Sequence, residues 1–302
     1  MKVSLVCTVF NEENNIREFL ESVMNQTKKP DEFIIVDGGS TDKTVEIIKK
    51  YVKAKWIKLI VSRGASIGKG RNIAIKKAKN EIIAVTDCGC ILDKNWLKNI
   101  TKPFKNKNID VVVGIYRPYY TNDFEYFQGL VIVKNEEIFL NPSRMSSRSI
   151  ALKKSVWKEV GGYPDSKVGE DTEFNLKLLE KGYKFAFAKN AVVYWRMRKN
   201  WKEFFKQFYR YGIGDKKSGN IWKMKKNAFF IFSFFGYLAL ILVFIFINYT
   251  YSLFLLFLGL FYFILEGIKI AIKSKSIKGF FYGFLLNLIK RIAYCMGCLA
   301  GS

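Results

Sequence analysis

The chain contains no histidine in 302 residues. That absence excludes Ser-His-Asp and Cys-His nucleophilic machinery and every metal site that needs an imidazole. Cysteine is sparse as well: Cys7, Cys88, Cys90, Cys295 and Cys298 do not have the spacing of a secreted disulfide framework. Cys295 and Cys298 form a lone Cys-x-x-Cys in an apolar tail, without the second pair that a zinc site wants, and read as small apolar residues on a helix. Acidic residues are in short supply, 26 against 50 Lys and Arg, which leaves a net charge of +24. Such an excess suits phosphate-bearing ligands and anionic membrane lipids. No recognisable nucleic-acid-binding motif accompanies it, so no nucleic acid is expected as a partner. No signal peptide is expected either, because the N-terminus leads directly into a strand-like run.

What is present is unevenly distributed. Half of the residues are hydrophobic, enough for a sizeable core. Before Ala228 apolar and charged positions alternate as in a soluble protein; beyond it come long runs of Phe, Leu and Ile. This shift predicts a domain over 1–222 and a membrane segment over 223–302. In the first, residues 3–9, 33–36, 56–61 and 82–86 read as buried strands. Ile16, Phe19, Leu20 and Val23 recur at helical spacing, a helix runs through Tyr51, and a glycine-rich loop at 64–70 leads into a helix through Lys79. Residues 94–101 read as helix, 111–116 as strand, and the stretch to about Arg148 as irregular, a place for an acceptor. A short helix at 156–160, a turn at 161–164 and an amphipathic helix at 170–181, with Phe174, Leu178 and Leu179 inward, follow. Strands alternating with helices predict a mostly parallel sheet flanked by helices. Such sheets bind ligands at the carboxyl ends of their strands, and Asp37 and Asp87 each stand at such an end.

Residues 228–247 carry no charge and supply the roughly 20 residues needed to cross about 30 Å of hydrocarbon. A second span is expected at 253–272, joined to the first by an uncharged turn at Asn248 to Tyr251, which makes an antiparallel hairpin. Lys223, Lys225 and Lys226 precede the pair, and Lys269, Lys273, Lys275 and Lys278 follow it. Positive charge on both outer flanks predicts a multi-pass membrane protein whose main domain is cytoplasmic. The tail at 279–299 is apolar, but Lys290 and Arg291 stand at its middle; each would cost about 2.5–3.5 kcal/mol at a bilayer centre. An amphipathic or re-entrant tail is therefore expected in place of a third span. From about residue 199, Phe204, Phe205, Phe208 and Tyr209 cluster among Lys202, Lys206 and Arg210, as in a helix lying on the membrane surface; an ordinary amphipathic helix packed on the domain has the same pattern.

Five ordered pieces carry the chemistry: Thr8-Val9-Phe10-Asn11-Glu12, Val36-Asp37-Gly38-Gly39-Ser40-Thr41-Asp42, Gly70-Arg71-Asn72, Thr86-Asp87 and Gly169-Glu170-Asp171. Together they resemble the signature of family 2 glycosyltransferases with the GT-A fold, over residues 3–215. The resemblance implies an inverting transferase that uses a nucleotide-diphosphate sugar. By it, Phe10 packs on the nucleobase, with Thr8 and Glu12 beside it. Asp37 accepts from the base or ribose, and Lys69 and Arg71 on the glycine-rich loop offset diphosphate charge, although Lys69 is equally readable as a solvated lysine. Asp171 is the general base for the acceptor, with Glu170 as its neighbour. The loop from Gly64 to Gly70 is not a P-loop: only three residues separate Gly64 from Gly68, and Gly70 stands where Ser or Thr must hold magnesium.

Two departures bear on the cofactor. Relatives usually carry an Asp-x-Asp that holds Mg²⁺ or Mn²⁺ against the diphosphate, and often a later His. Here Asp87 is followed by Cys88 and Gly89, and Tyr194-Trp195 stands near the place of the His. A divalent cation is expected on Asp87 with diphosphate oxygens and water. Gln207, Arg210 and Tyr211 resemble the Gln-x-x-Arg-Trp of processive polymerases, with Tyr for Trp, and are taken as a donor-site or membrane-proximal contact. The expected acceptor is membrane-associated, a lipid-linked saccharide or a polyprenyl phosphate. The alternative is a membrane-anchored scaffold that binds nucleotide sugar and has lost catalysis.

Overall fold

The computed structural model describes residues 1–135, 145–166, 168–217, 219 and 225–300, without the side chains of 225–230 and 232. The chain forms two compact units, Met1–Tyr119 with Lys134–Arg196, and Tyr120–Val133 with Met197–Ser302. These borders differ from the composition shift at Ala228.

The first unit is built on one eight-stranded sheet. Its strands are β1 (Val3–Val9), β2 (Glu32–Asp37), β3 (Ile57–Val61), β4 (Ile82–Val85), β5 (Cys90–Leu92), β6 (Val111–Tyr119), β7 (Ile150–Lys153) and β8 (Phe185–Arg196), in the order β3-β2-β1-β4-β7-β6-β8-β5. The first four are parallel, joined by α1 (Ile16–Met24), α2 (Thr44–Tyr51) and α3 (Ile67–Lys77). Their near-continuous burial is what a sheet covered on both faces requires, and Leu5, Val6, Phe33, Ile34, Ile35 and Ile83 are fully buried. The far half is mixed: β7 runs antiparallel to β4 and β6, while β8 is parallel to β6 and antiparallel to β5. The sequence pattern misses β5, β7 and β8. β5 is three residues long and β7 four, and the alternation of β8 is broken by exposed Lys189 and Asn190.

Two further differences bear on function. The segment expected as a glycine-rich loop is already helical from Ile67, because Ser66 caps it by accepting from the Lys69 amide at 3.1 Å; Lys69, Gly70 and Arg71 are thus helix residues. The stretch expected to be irregular contains α5 (Asp123–Ile132), capped by Asn122, whose Oδ1 accepts from the Glu125 amide at 3.0 Å. The part of that stretch at 136–144 lies outside the described residues. Completing the first unit are α4 (Trp96–Thr101), α6 (Lys154–Glu159) and α7 (Glu170–Glu180). Phe174 and Leu178 of α7 are buried as the pattern predicts; Leu179 is only partly covered.

Among the described residues, the second unit contains α5 and four long helices, α8 (Trp201–Lys217), α9 (Lys225–Ile247), α10 (Tyr249–Ser274) and α11 (Lys278–Ala300). The expected turn between α9 and α10 shrinks to Asn248, whose Oδ1 caps α10 by accepting from the Thr250 amide at 2.9 Å. The two helices run antiparallel, held by Ser252 Oγ donating to the Ile241 carbonyl at 2.9 Å. Only 11% of the most apolar window of α10 is buried inside the protein, against 39% for α11. A helix apolar on nearly every side and bare of protein is not a core helix. Both are long and apolar enough to cross a membrane. The tail is one unbroken helix, with no turn at which a re-entrant path would double back. Arg291 lies over the Tyr262 ring at 5.6 Å, and Lys290 donates to Asn287 Oδ1 at 2.8 Å.

α8 and α11 meet through a pair of glycines. A Cβ on Gly212 would overlap the Tyr294 carbonyl oxygen, and one on Gly297 the Tyr209 carbonyl oxygen. One face of α8 is thus packed, with Phe204 fully buried, while Lys202, Lys206 and Arg210 are exposed. Gly297→Ala is expected to lower stability by about 1–3 kcal/mol through forced separation. Gly236→Ala, whose Cβ meets nothing within 4 Å, should leave stability unchanged or raised, and thermal unfolding in detergent compares the two.

Candidate active site

The site is assembled by turns that need glycine. After α6 the chain passes through Gly162 with φ 75°, and a Cβ there would press on Asn72 Oδ1. Asn72, on α3, holds this turn. Its Oδ1 accepts from Trp157 Nε1 and the Tyr163 amide at 2.9 Å each, and its Nδ2 donates to the Tyr163 carbonyl at 2.7 Å. Gly169, left-handed at φ 84°, then forms the N-cap of α7. Tyr163 stacks on Phe174 with centroids 4.0 Å apart, and Asn175 Nδ2 donates to the Met145 carbonyl at 2.8 Å. These contacts bring the start of α7, with Glu170 and Asp171, against α3.

Arg71 is where the pieces join. Its side chain is 2% exposed. One terminal nitrogen, Nη1, donates to Glu170 Oε1 at 2.8 Å and Asp171 Oδ1 at 2.7 Å, and Nη2 donates to Asp87 Oδ1 at 2.7 Å. The guanidinium carbon lies 5.3 Å from the centre of the Tyr163 ring. Burial alone would lower the pKa of Arg71, but Asp171, Asp87 and Glu170 outweigh it and hold the group protonated. Removing one partner from a buried ion cluster costs about 3–5 kcal/mol, so this arginine supports structure as well as charge.

Asp171 is also held from the other side. Its Oδ2 accepts from Ser146 Oγ at 3.2 Å and from the Ser147 amide at 3.1 Å. Burial would raise its pKa; Arg71, the Ser147 contacts and Arg148 prevail and hold it below the ordinary carboxylate value. Glu170 goes the other way, pushed up to about 7 by burial and then by the Asp171 charge beside it. Adjacent strands explain how Ser146 and Ser147 reach the site. Asp87 follows β4, residues 146–149 precede β7, and Thr86 Oγ1 ties the two by donating to the Arg148 carbonyl at 2.9 Å. Ser146, Ser147 and Arg148 lie in no motif, and nothing local in the sequence signals them.

The remaining expected residues are placed as follows. Thr8 is half-buried near the end of β1, and Phe10, just past it, is 59% exposed. Glu12 Oε2 accepts from Asn15 Nδ2 at 2.8 Å. Lys69 is exposed on the first turn of α3. Asp37 does not join the cluster: it is fully buried, and its Oδ1 accepts from the Gly39 and Ser40 amides at 3.1 and 2.9 Å. These two bonds shape the turn through Gly38 and Gly39. Arg71, expected on the diphosphate, directs both terminal nitrogens to carboxylates. In the second unit, Gln207 is 5% exposed; its Oε1 accepts from Arg198 Nε and its Nε2 donates to the Tyr211 hydroxyl, both at 2.9 Å. Its amide is therefore engaged within that unit. Arg210 is exposed and Tyr211 half-buried.

Among the described residues, no group of three or more His, Cys, Asp or Glu is arranged to hold a metal ion. Asp87 alone fits a hard cation in part: Oδ1 is taken by Arg71, Oδ2 has no hydrogen-bond partner among the described residues, and the side chain is 27% exposed. A Cβ on Gly89, where a second carboxylate would project, meets nothing within 4 Å.

The chain is similar to known proteins in sequence and in fold. The profile of glycosyl transferase family 2 matches residues 4–160, and that of glycosyl transferase family group 2 matches residues 90–271. The O-antigen chain rhamnosyltransferase RfbN of Salmonella typhimurium is 26% identical over 70% of this chain and 72% of its own length. A dolichyl N-acetyl-alpha-D-glucosaminyl phosphate 3-beta-D-2,3-diacetamido-2,3-dideoxy-beta-D-glucuronosyltransferase of Methanococcus voltae is 25% identical over 91% of this chain and 89% of its own. The mannosyltransferase PcManGT of Pyrobaculum calidifontis, solved with GDP-Man and Mn²⁺, superposes with a TM-score of 0.56 at 20% identity, a likeness of fold covering 69% of this chain and 61% of that one.

The opposed shifts of the acidic pair predict a pH dependence. Glu170 holds its proton more tightly folded than unfolded, so its contribution to stability is full below about pH 4.5 and is lost as pH rises to about 7. Glu170→Gln is expected to gain on the wild type over that window, by roughly 2–4 kcal/mol. Denaturant unfolding of both proteins at pH 5 to 8 checks this; parallel pH profiles would contradict it.

Proposed function

The chain belongs to glycosyl transferase family 2, and from that premise we propose that it moves a sugar, with inversion, from a nucleotide-diphosphate sugar to a membrane-associated acceptor. The observation that carries this reading is the meeting of Asp87 and Asp171 on one guanidinium. That meeting supports a diphosphate side at Asp87 and an acceptor side at Asp171 within one reaction. The exposed Phe10 ring offers a face for the nucleobase, with Thr8 and Glu12 assigned beside it, and the exposed Lys69 is assigned to the diphosphate. Asp87 Oδ2 is the protein ligand we assign to Mg²⁺ or Mn²⁺, completed by diphosphate oxygens and water. When bound, the cation offsets negative charge on the leaving diphosphate.

Asp171 does the proton work. Held ionised by Arg71, it accepts the hydrogen of the acceptor hydroxyl as that oxygen attacks the anomeric carbon. The bond from that carbon to the phosphate oxygen breaks, and its electron pair leaves with the nucleoside diphosphate. Glu170, buried behind Asp171 and sharing its guanidinium nitrogen, keeps that carboxylate in place. The relatives named for O-antigen chains and a dolichyl-linked saccharide support a lipid-linked saccharide as acceptor, with a polyprenyl phosphate as the alternative substrate of the same class. The hairpin α9–α10 is assigned to the membrane, with the first unit in the cytoplasm by the positive charge flanking it. The exposed basic face of α8 and the tail α11 are assigned to the anionic interface.

Gly89 in place of a second carboxylate supports a second reading, a nucleotide-sugar binder without turnover. One assay on purified protein in detergent separates them. Wild type is expected to release nucleoside diphosphate from its donor, to stop with EDTA and to recover with Mg²⁺ or Mn²⁺. Asp171→Asn should retain donor binding while transfer to a hydroxyl acceptor falls by about 10²–10⁴-fold. Near wild-type transfer by that variant points to a phosphate acceptor, whose oxygen needs no base, or to a different base. Binding without release by the wild type would support the scaffold.

A further inference from the structure

Two buried glutamines of the second unit hold a single exposed arginine. Gln128, on α5, is fully buried; its Oε1 accepts from the Arg198 amide at 2.7 Å, and its Nε2 donates to the Arg198 carbonyl at 3.1 Å. Gln207, on α8, accepts from Arg198 Nε at 2.9 Å through Oε1 and donates to the Tyr211 hydroxyl through Nε2. Gln207 and Tyr211 are two of the three residues that resemble the Gln-x-x-Arg-Trp of processive polymerases. Here Gln207 braces an arginine that belongs to no motif.

The brace leaves the far end of Arg198 open. The residue is exposed, and among the described residues its Nη1 and Nη2 have no hydrogen-bond or ion-pair partner. An exposed arginine ordinarily samples many rotamers, and holding it at Nε in advance lowers the ordering cost of a later contact. Its two terminal nitrogens form a planar fork of donors that matches phosphate oxygens, as a lysine ammonium does not. The surroundings fit a bilayer surface. Lys199 and Lys202, just after it, are exposed. Trp201 is 36% exposed, with its ring nearly parallel to that of Tyr282 at 6.2 Å and 4.6 Å from that of Phe124. Tryptophan with part of its ring covered and part open belongs at headgroup level. The nearest carboxylate along the chain, Glu203, accepts from the Lys199 amide at 3.2 Å.

We propose that Arg198, braced by Gln128 and Gln207, is the phosphate contact of a binding site for one anionic phospholipid of the bilayer. This site rests on the assignment of the basic face of α8 to the anionic interface, and it gives that face one defined ligand. Lys202, Lys206 and Arg210 of the face are exposed, and attraction between such residues and a charged surface needs no fixed geometry. Arg198 differs, because its main chain and its Nε are both held by buried side chains. A bilayer lipid is the favoured source of the phosphate, since every residue of the site belongs to the unit that carries the long apolar helices.

Native mass spectrometry of the full chain in a neutral detergent tests this. Titration with phosphatidylglycerol, and separately with a polyprenyl phosphate, reads the affinity for the first bound lipid. Arg198→Gln is expected to weaken phosphatidylglycerol by about 10- to 100-fold. Lys202→Gln removes the same charge from an unbraced position and should weaken it by less than about fivefold. Arg198→Lys keeps the charge without the fork, so it should recover only part of the loss, and it guards against misfolding of the Gln variant. Gln207→Met alters no charge but frees Nε, and should weaken the lipid as well. Losses for Arg198→Gln and Lys202→Gln within twofold of each other would show diffuse attraction and overturn the site, leaving the interface assignment intact. A loss confined to the polyprenyl phosphate would move Arg198 to the acceptor and overturn the bilayer source. Wild-type protein that bound neither lipid would remove the interface assignment, and this site with it.

Discussion

One buried arginine holds the site together. Arg71 sits on the second turn of α3 and binds carboxylates that arrive from the end of β4 and from the start of α7, 16, 99 and 100 residues away along the chain. Each carboxylate is expensive to bury alone, and each becomes affordable only with that guanidinium. The turns around it serve the same end. Asn72, next along α3, pins the Gly161-Gly162-Tyr163-Pro164 turn, and Gly68 lets that turn approach, since a Cβ there would overlap the Pro164 carbonyl oxygen. Three successive features of one helix, a small residue, a cation and an amide, thus dock the segment that carries the acidic pair.

The environment sorts the two acids. Asp171 receives hydrogen bonds on both oxygens and stays ionised; Glu170 is more enclosed and holds its proton to about neutrality. Neighbouring carboxyl groups whose pKa values are driven apart take different roles. Here the ionised member faces partly outward, with a side chain 22% exposed against 7% for Glu170. Geometry and charge therefore agree on which acid is the ionised and more open member of the pair, the one proposed as the base.

Much of this was legible in the sequence. The apolar runs of β1 to β4 and the acids at their carboxyl ends followed from pattern alone, as did the helix at Glu170 after its glycine turn. The part played by Arg71 was not legible, because an arginine after two glycines looks like a mobile, solvent-facing cation until its partners arrive from across the fold. The same glycines made 64–70 read as a loop; the Ser66 cap and the packing of Gly68 override their low helix propensity. Asp37 stands at the end of β2 as the pattern predicts, and the tight turn through Gly38 and Gly39 lets its carboxylate also accept from the Gly39 and Ser40 amides. Arg148 and the two serines before it were invisible because their meaning comes from the antiparallel pairing of β7 with β4, a feature that four-residue strands do not announce.

The account depends most directly on energetic coupling through Arg71. A double-mutant cycle measures it: unfolding free energies of the wild type, Arg71→Met, Asp171→Asn and the double variant, in one detergent at pH 7. The structure predicts a coupling of at least about 1 kcal/mol, as expected for groups in one ion-pair network. Additive effects, within about 0.5 kcal/mol, would show that the two side chains do not meet, and the site described around them would not exist.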